Sequence, residues 1–158
     1  MSIDETMDRI EQTVDISAPA EVVWDLVSEP GWWINDGALV PHQIDDHGSH
    51  VVVHDPVHGA FPLEVVAQDP PRYVAYRWMG DGTAASPASL VEFTIAPHAD
   101  GVRLTVVESG LSKLGEDLDK RRRVFEQNTQ GWQLEMELAR AACDTRAADS
   151  VPATGSRA

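Results

Sequence analysis

Over residues 8–16 (DRIEQTVDI) apolar and polar positions alternate. Ile10, Gln12, Val14 and Ile16 fall on one side, and Arg9, Glu11, Thr13 and Asp15 on the other. A period of two over this length predicts a strand with a charged outer face. Ser17-Ala18-Pro19 breaks the pattern. Proline suits the first turn of a helix, and Glu21 there complements the positive end of the helix dipole. A short helix is therefore expected, with Val23, Leu26 and Val27 on one side and Glu21 and Asp25 more exposed. Pro30-Gly31 stops it, and Trp32-Trp33 fall in a second short helical segment.

From residue 40 to 108 the texture changes. Eleven of the eighteen valines lie between positions 51 and 107, and β-branched residues favour strands. Turn signals recur at Asp46-His47-Gly48, His58-Gly59, Pro70-Pro71, Gly80-Asp81-Gly82 and Asp100-Gly101. The intervals predict strands near 42–46, 49–55, 59–68, 72–79, 88–97 and 102–109. Short connections make them an antiparallel meander. Pro56 and Pro62 are expected at strand ends, edges or a bulge. Alternation puts Val74, Tyr76 and Trp78 on one face, with Val91, Phe93 and Ile95, then Val102, Leu104 and Val106, as the matching sets.

The final pattern has a helical period. Leu114, Leu118, Phe125, Thr129, Trp132, Met136, Ala139 and Cys143 recur at steps of three, four or seven, one face of a helix from about 116 to 143. Its first turn is acidic (Glu116, Asp117, Asp119). Glu116–Lys120, Asp117–Arg121 and Asp119–Arg123 are acid-first pairs four residues apart. Gly131 costs about 1 kcal/mol relative to Ala inside a helix, which points to a close approach or a bend there. The predicted order is strand, two short helices, six strands, long helix: an α+β fold, β-α-α-β6-α. A single long apolar helix must be covered by one large sheet. The space between them would be lined by large aromatic side chains.

The 158 residues suit one domain, placed at 8–143 after an N-terminal extension at 1–7. Residues 144–158 (DTRAADSVPATGSRA) are small, polar and aperiodic and read as a disordered tail. The net charge is −14, and residues 1–60 hold twelve acids against one base, Arg9. That sign opposes binding to nucleic acid or an anionic membrane, which needs Lys and Arg. It leaves room for a basic protein partner at the acidic N-terminal portion. The run Lys120-Arg121-Arg122-Arg123 is offset by acids one turn earlier and reads as a solvated helix face. Cys143 stands alone, so no internal disulfide or cysteine-based zinc cluster is expected, in keeping with a reducing compartment. With no secretory signal and no run near the ~18 apolar residues of a membrane span, a cytoplasmic protein is expected.

Five of the six histidines, His42, His47, His50, His54 and His58, fall within seventeen residues. On a strand, positions four apart are about 13 Å apart, too far to share an ion, although partners across a hairpin could converge. No metal site and no cofactor are assigned. Protonating these histidines would offset part of the local acidity, so self-association or partner binding is expected to change between about pH 7 and 5.5. His54-Asp55 could form an oriented base, with Tyr76 as an acid or donor from a neighbouring strand. No nucleophile elbow, phosphate loop or HExxH motif is present. The aromatics are more informative, because each pairs a large apolar surface with a polar atom that needs a partner if buried.

Four segments together resemble a known family. SAPAEVVWDLVSEPGWW is similar to the opening signature of START-like proteins of the SRPBCC superfamily, in its branch of activator of heat-shock protein 90 ATPase homologues. DPPRYVAYRW resembles that family's Pro-Pro turn and following strand. LVEFTIAPHADGVRLTVVESGL resembles its penultimate hairpin, and NTQGWQLEMELARA the Gly-Trp of its final helix. The resemblance implies the helix-grip fold, a seven-stranded antiparallel sheet curled around the long C-terminal helix with a hydrophobic cavity between them. It implies no reaction, because the fold alone does not choose among ligand carriers, cyclases and co-chaperones. The expected function is binding of an apolar or amphipathic small molecule, lined by Trp24, Trp33, Tyr76, Trp78, Phe93, Trp132 and Met136. Two alternatives stand beside it: a cyclase- or dehydratase-type enzyme using His54, Asp55 or Tyr76, and a protein-interaction module of the co-chaperone kind. A monomer or a homodimer is expected.

Overall fold

In the computed structural model, which describes residues 9–79, 89–110 and 118–155, every alternating segment joins one sheet. The strands are β1 (Arg9–Ile16), β2 (Gln43–Asp46), β3 (Val51–Asp55), β4 (Gly59–Asp69), β5 (Tyr73–Trp78), β6 (Leu90–His98) and β7 (Gly101–Ser109). They are arranged β1-β7-β6-β5-β4-β3-β2, all antiparallel. The meander from β2 to β7 is thus closed by β1 returning along β7, from Arg9 opposite Ser109 to Ile16 opposite Val102. Helix α1 (Ala20–Val27) follows β1 and helix α2 (Leu118–Gly155) ends the described chain. Helix α2 packs on β1 and α1, and α1 also packs on β6. This is the expected seven-stranded sheet curled around a long C-terminal helix.

The core lies where the period-two and helical faces meet. Val74, Tyr76, Val91, Phe93, Leu104 and Val106 are fully buried, and Trp132, Met136, Ala139 and Cys143 face them from α2. Burial pushes the Cys143 thiol up to about 11, so it is packed as a small hydrophobe. On the outer face, Arg77 reaches across to Glu64, and Tyr73 donates to Glu92 at 2.5 Å.

Four details differ from expectation. The second short helix is instead two overlapping turns, Trp32 N–H to Glu29 O and Ile34 N–H to Gly31 O. Gly31 has φ +74, which a continuing right-handed helix cannot accommodate. Pro62 sits inside β4 and pairs with Val52. Its missing N–H faces the chain just past the end of β5, where Met79 N–H donates to the Pro62 carbonyl. Gly131 is exposed and a Cβ there would meet nothing within 4 Å, so no close approach accounts for it. Finally, α2 continues through the segment expected to be a disordered tail. Asp144 accepts the Ser17 backbone N–H at 2.9 Å and pairs with Arg140 at 3.2 Å. Ala147, four residues beyond Cys143, packs against the core. Leu114, Glu116, Asp117, the Gly80-Asp81-Gly82 turn and the 1–7 extension lie outside the described residues. No helix of the described residues is long and apolar enough to cross a membrane.

Candidate functional site

The turn after α1 carries Trp33 into the space between sheet and α2. The left-handed backbone at Gly31 sets this course, and a Cβ there would stand 2.8 Å from Val53 on β3. Only glycine combines that φ with that approach. The Trp33 ring meets Tyr76 at 5.4 Å, Phe93 at 5.5 Å, Trp132 at 5.7 Å and Trp78 at 5.8 Å between centroids. Trp78 is in turn edge-on to Phe61. Five of the seven residues expected to line the interior are therefore one ring cluster. Met136 is buried in the same core, whereas Trp24 packs half-buried at its margin.

The polar atoms of these rings divide into two sets. Tyr76 donates its O–H to the Val27 carbonyl at 2.6 Å, satisfying a carbonyl from the last turn of α1 that lacks an intrahelical donor. Burial, with Glu29 adding to it, raises the Tyr76 phenol well above its ordinary value. Trp132 donates to Glu108 at 2.9 Å, and the same buried carboxylate takes Ser89 Oγ at 2.8 Å and Asn128 Nδ2 at 3.2 Å. By contrast, among the described residues the buried indole N–H groups of Trp32 and Trp33 have no hydrogen-bond partner. Leaving a buried donor unpaired costs about 1–3 kcal/mol.

A chain of polar contacts borders the cluster. Glu135 of α2 accepts from Asn35 Nδ2 at 2.6 Å, and the Asn35 carbonyl meets His58 Nε2 at 3.1 Å. Burial pushes the Glu135 carboxyl up from 4.5 to about 7, against the Asn35 hydrogen bond, which lowers it. Asp55, the last residue of β3, accepts the Val57 and His58 backbone N–H groups and meets His42 Nε2 at 2.8 Å. Burial favours the neutral Asp55 acid, yet the His58 N–H, His42 and the Val57 N–H together hold its carboxyl below the ordinary value. The His42 and Asp55 side chains are 0% and 1% exposed.

Of the residues expected to do chemistry, Asp55 faces inward, but its partner is His42 rather than its neighbour His54. A strand sends successive side chains to opposite faces, and His54 pairs with Asp45 at 2.8 Å on the exposed side. Tyr76 faces inward with its O–H committed to Val27. His47 and His50 stack on each other at 5.1 Å. Among the described residues no group of three His, Cys, Asp or Glu is arranged to hold a metal ion. The sequence reading passed over Trp32, Asn35, Glu108 and Glu135. A signal existed for Glu108: it continues the inward series Val102, Leu104, Val106 by one more step of two.

The profile of the family described as Activator of Hsp90 ATPase homolog 1-like protein matches residues 17–141. No curated protein matches the chain. Among solved structures, protein MLL2253 from Mesorhizobium loti is 23% identical with a TM-score of 0.63, covering 87% of this chain and 97% of that one. The Aha1 dimer from Colwellia psychrerythraea is 13% identical with a TM-score of 0.64, covering 86% and 96%. DynU16, a protein of the dynemicin biosynthetic locus, is 20% identical with a TM-score of 0.64, covering 89% of this chain and 48% of that one.

Proposed function

The chain belongs to the Activator of Hsp90 ATPase homolog 1-like family, and from that premise we propose that it binds an apolar or amphipathic small molecule between the sheet and α2. The observation that carries this reading is the Trp33 indole. It stands among five other rings on a turn rather than a regular element, and among the described residues its buried N–H lacks an acceptor. A ligand bearing an acceptor oxygen and a ring would satisfy the donor and stack on the cluster. The likeness to DynU16, from a biosynthetic locus, agrees with a small-molecule role. Binding is favoured over catalysis because His54 faces solvent with Asp45 and the Tyr76 O–H is engaged by Val27. We extend the proposal to a cytoplasmic protein, where an unoxidised Cys143 is at home. A homodimer is included by analogy with the dimeric Colwellia protein.

Native mass spectrometry of the protein isolated from its own host tests the proposal. A single small molecule bound per chain and released by organic solvent is expected. Chains carrying no adduct, both as isolated and after incubation with the host's lipid-soluble extract, would contradict it.

A further inference from the structure

The interior contains one polar group whose hydrogen-bonding state is fixed on one side and open on the other. Asp55 spends Oδ2 on two backbone N–H groups and turns Oδ1 toward His42 Nε2. An ionised carboxylate only accepts, so Nε2 carries the hydrogen. In the neutral ring Nδ1 then bears the lone pair, and among the described residues it is buried with no hydrogen-bond partner. Its position is set by the sheet. Asp55 is the next inward residue after Val53, about 7 Å along β3. Val53 touches the Gly31 turn that carries Trp33 and pairs with Phe61, whose ring abuts Trp78. The open nitrogen thus belongs to the same inner face as the ring cluster.

We propose that His42 Nδ1 is the polar anchor of the interior ligand site and selects ring compounds bearing an acidic hydroxyl, a phenol or an enol. This rests on the interior being a ligand site and adds what that ligand must carry. The ligand O–H donates to Nδ1, and its ring packs on Trp33, Trp78 and Phe61. An acidic hydroxyl gains over an alcohol because it is the stronger hydrogen-bond donor to Nδ1. A methyl ether of the same shape has no hydrogen to give and leaves Nδ1 unpaired.

The test compares 2-naphthol with 2-methoxynaphthalene, by calorimetric titration of the full chain. Binding of 2-naphthol at least about tenfold tighter is expected, the size of one buried hydrogen bond. His42→Phe keeps a ring of similar size but has no acceptor, so it should erase the difference. Nitrogen NMR of wild-type His42 supplies a readout that needs no variant: the Nδ1 signal should move on adding 2-naphthol and stay with the ether. Equal affinities, a still Nδ1 signal, or a preference that survives in a folded H42F protein would overturn the anchor while leaving the interior site standing. Failure of both compounds to bind would overturn the interior site and the anchor with it.

Discussion

Replacing Glu135 with Gln should stabilise the protein at alkaline pH. Glu135 is 9% exposed, and its carboxyl is pushed from 4.5 to about 7 because the charged form loses water that the single Asn35 contact does not replace. The folded state therefore holds this proton more tightly than the unfolded chain. The favourable contribution is complete below about pH 4.5, declines as pH rises toward 7, and is gone above it. At about 1.4 kcal/mol per pKa unit, ionised Glu135 costs roughly 3 kcal/mol at pH 8. Gln stays neutral, and its side-chain oxygen can still accept from Asn35. Urea unfolding followed by tryptophan fluorescence should place E135Q about 2–3 kcal/mol above wild type at pH 8 and level with it at pH 4.5. Glu137→Gln is the control. It removes the same charge from the same helix, but Glu137 is exposed and paired with Arg140, so E137Q should bring no gain at pH 8. Equal stability of E135Q and wild type at pH 8, or the same gain in E137Q, would refute the reasoning.

Gly131→Ala should add about 0.5–1 kcal/mol, since the site is exposed, inside a helix and clear of neighbours; thermal unfolding with no gain would reveal a constraint on the helix that the structure does not show. Tyr76→Phe should cost about 1–2 kcal/mol by stripping the Val27 carbonyl of its buried donor, and an unchanged denaturation midpoint would contradict that bond.

Strands and buried faces were legible because burial of one sheet face imposes a period of two that a single sequence displays. Val74, Tyr76 and Trp78, or Val102, Leu104 and Val106, needed only alternation to be placed. Polar residues on those same faces were harder to read. Asp55 continues Val51 and Val53 inward, and Glu108 continues Val106, but a charge at a series end looks like a strand terminus. Their partners come from elsewhere in the chain: His42 across a hairpin, Ser89 from just before the neighbouring strand β6, and Asn128 and Trp132 from α2. Such pairings depend on the register and on where the helix crosses, which no local pattern encodes. Local adjacency even misdirected the reading, joining His54 to Asp55 when the pleat sends them to opposite faces. The continuation of α2 past Cys143 was hidden for a similar reason. Its anchors, Asp144 to Ser17 and Ala147 on the core, are small or charged residues whose contribution is tertiary.

The central claim is that the interior around Trp33 receives a ligand, and its indole N–H can report this directly. In proton–nitrogen NMR spectra, with the Trp33 signal assigned by Trp33→Phe, 1-anilinonaphthalene-8-sulfonate should shift that signal saturably at one probe per chain. Saturation of the probe with the Trp33 indole unmoved, or no saturable binding at all, would contradict the account.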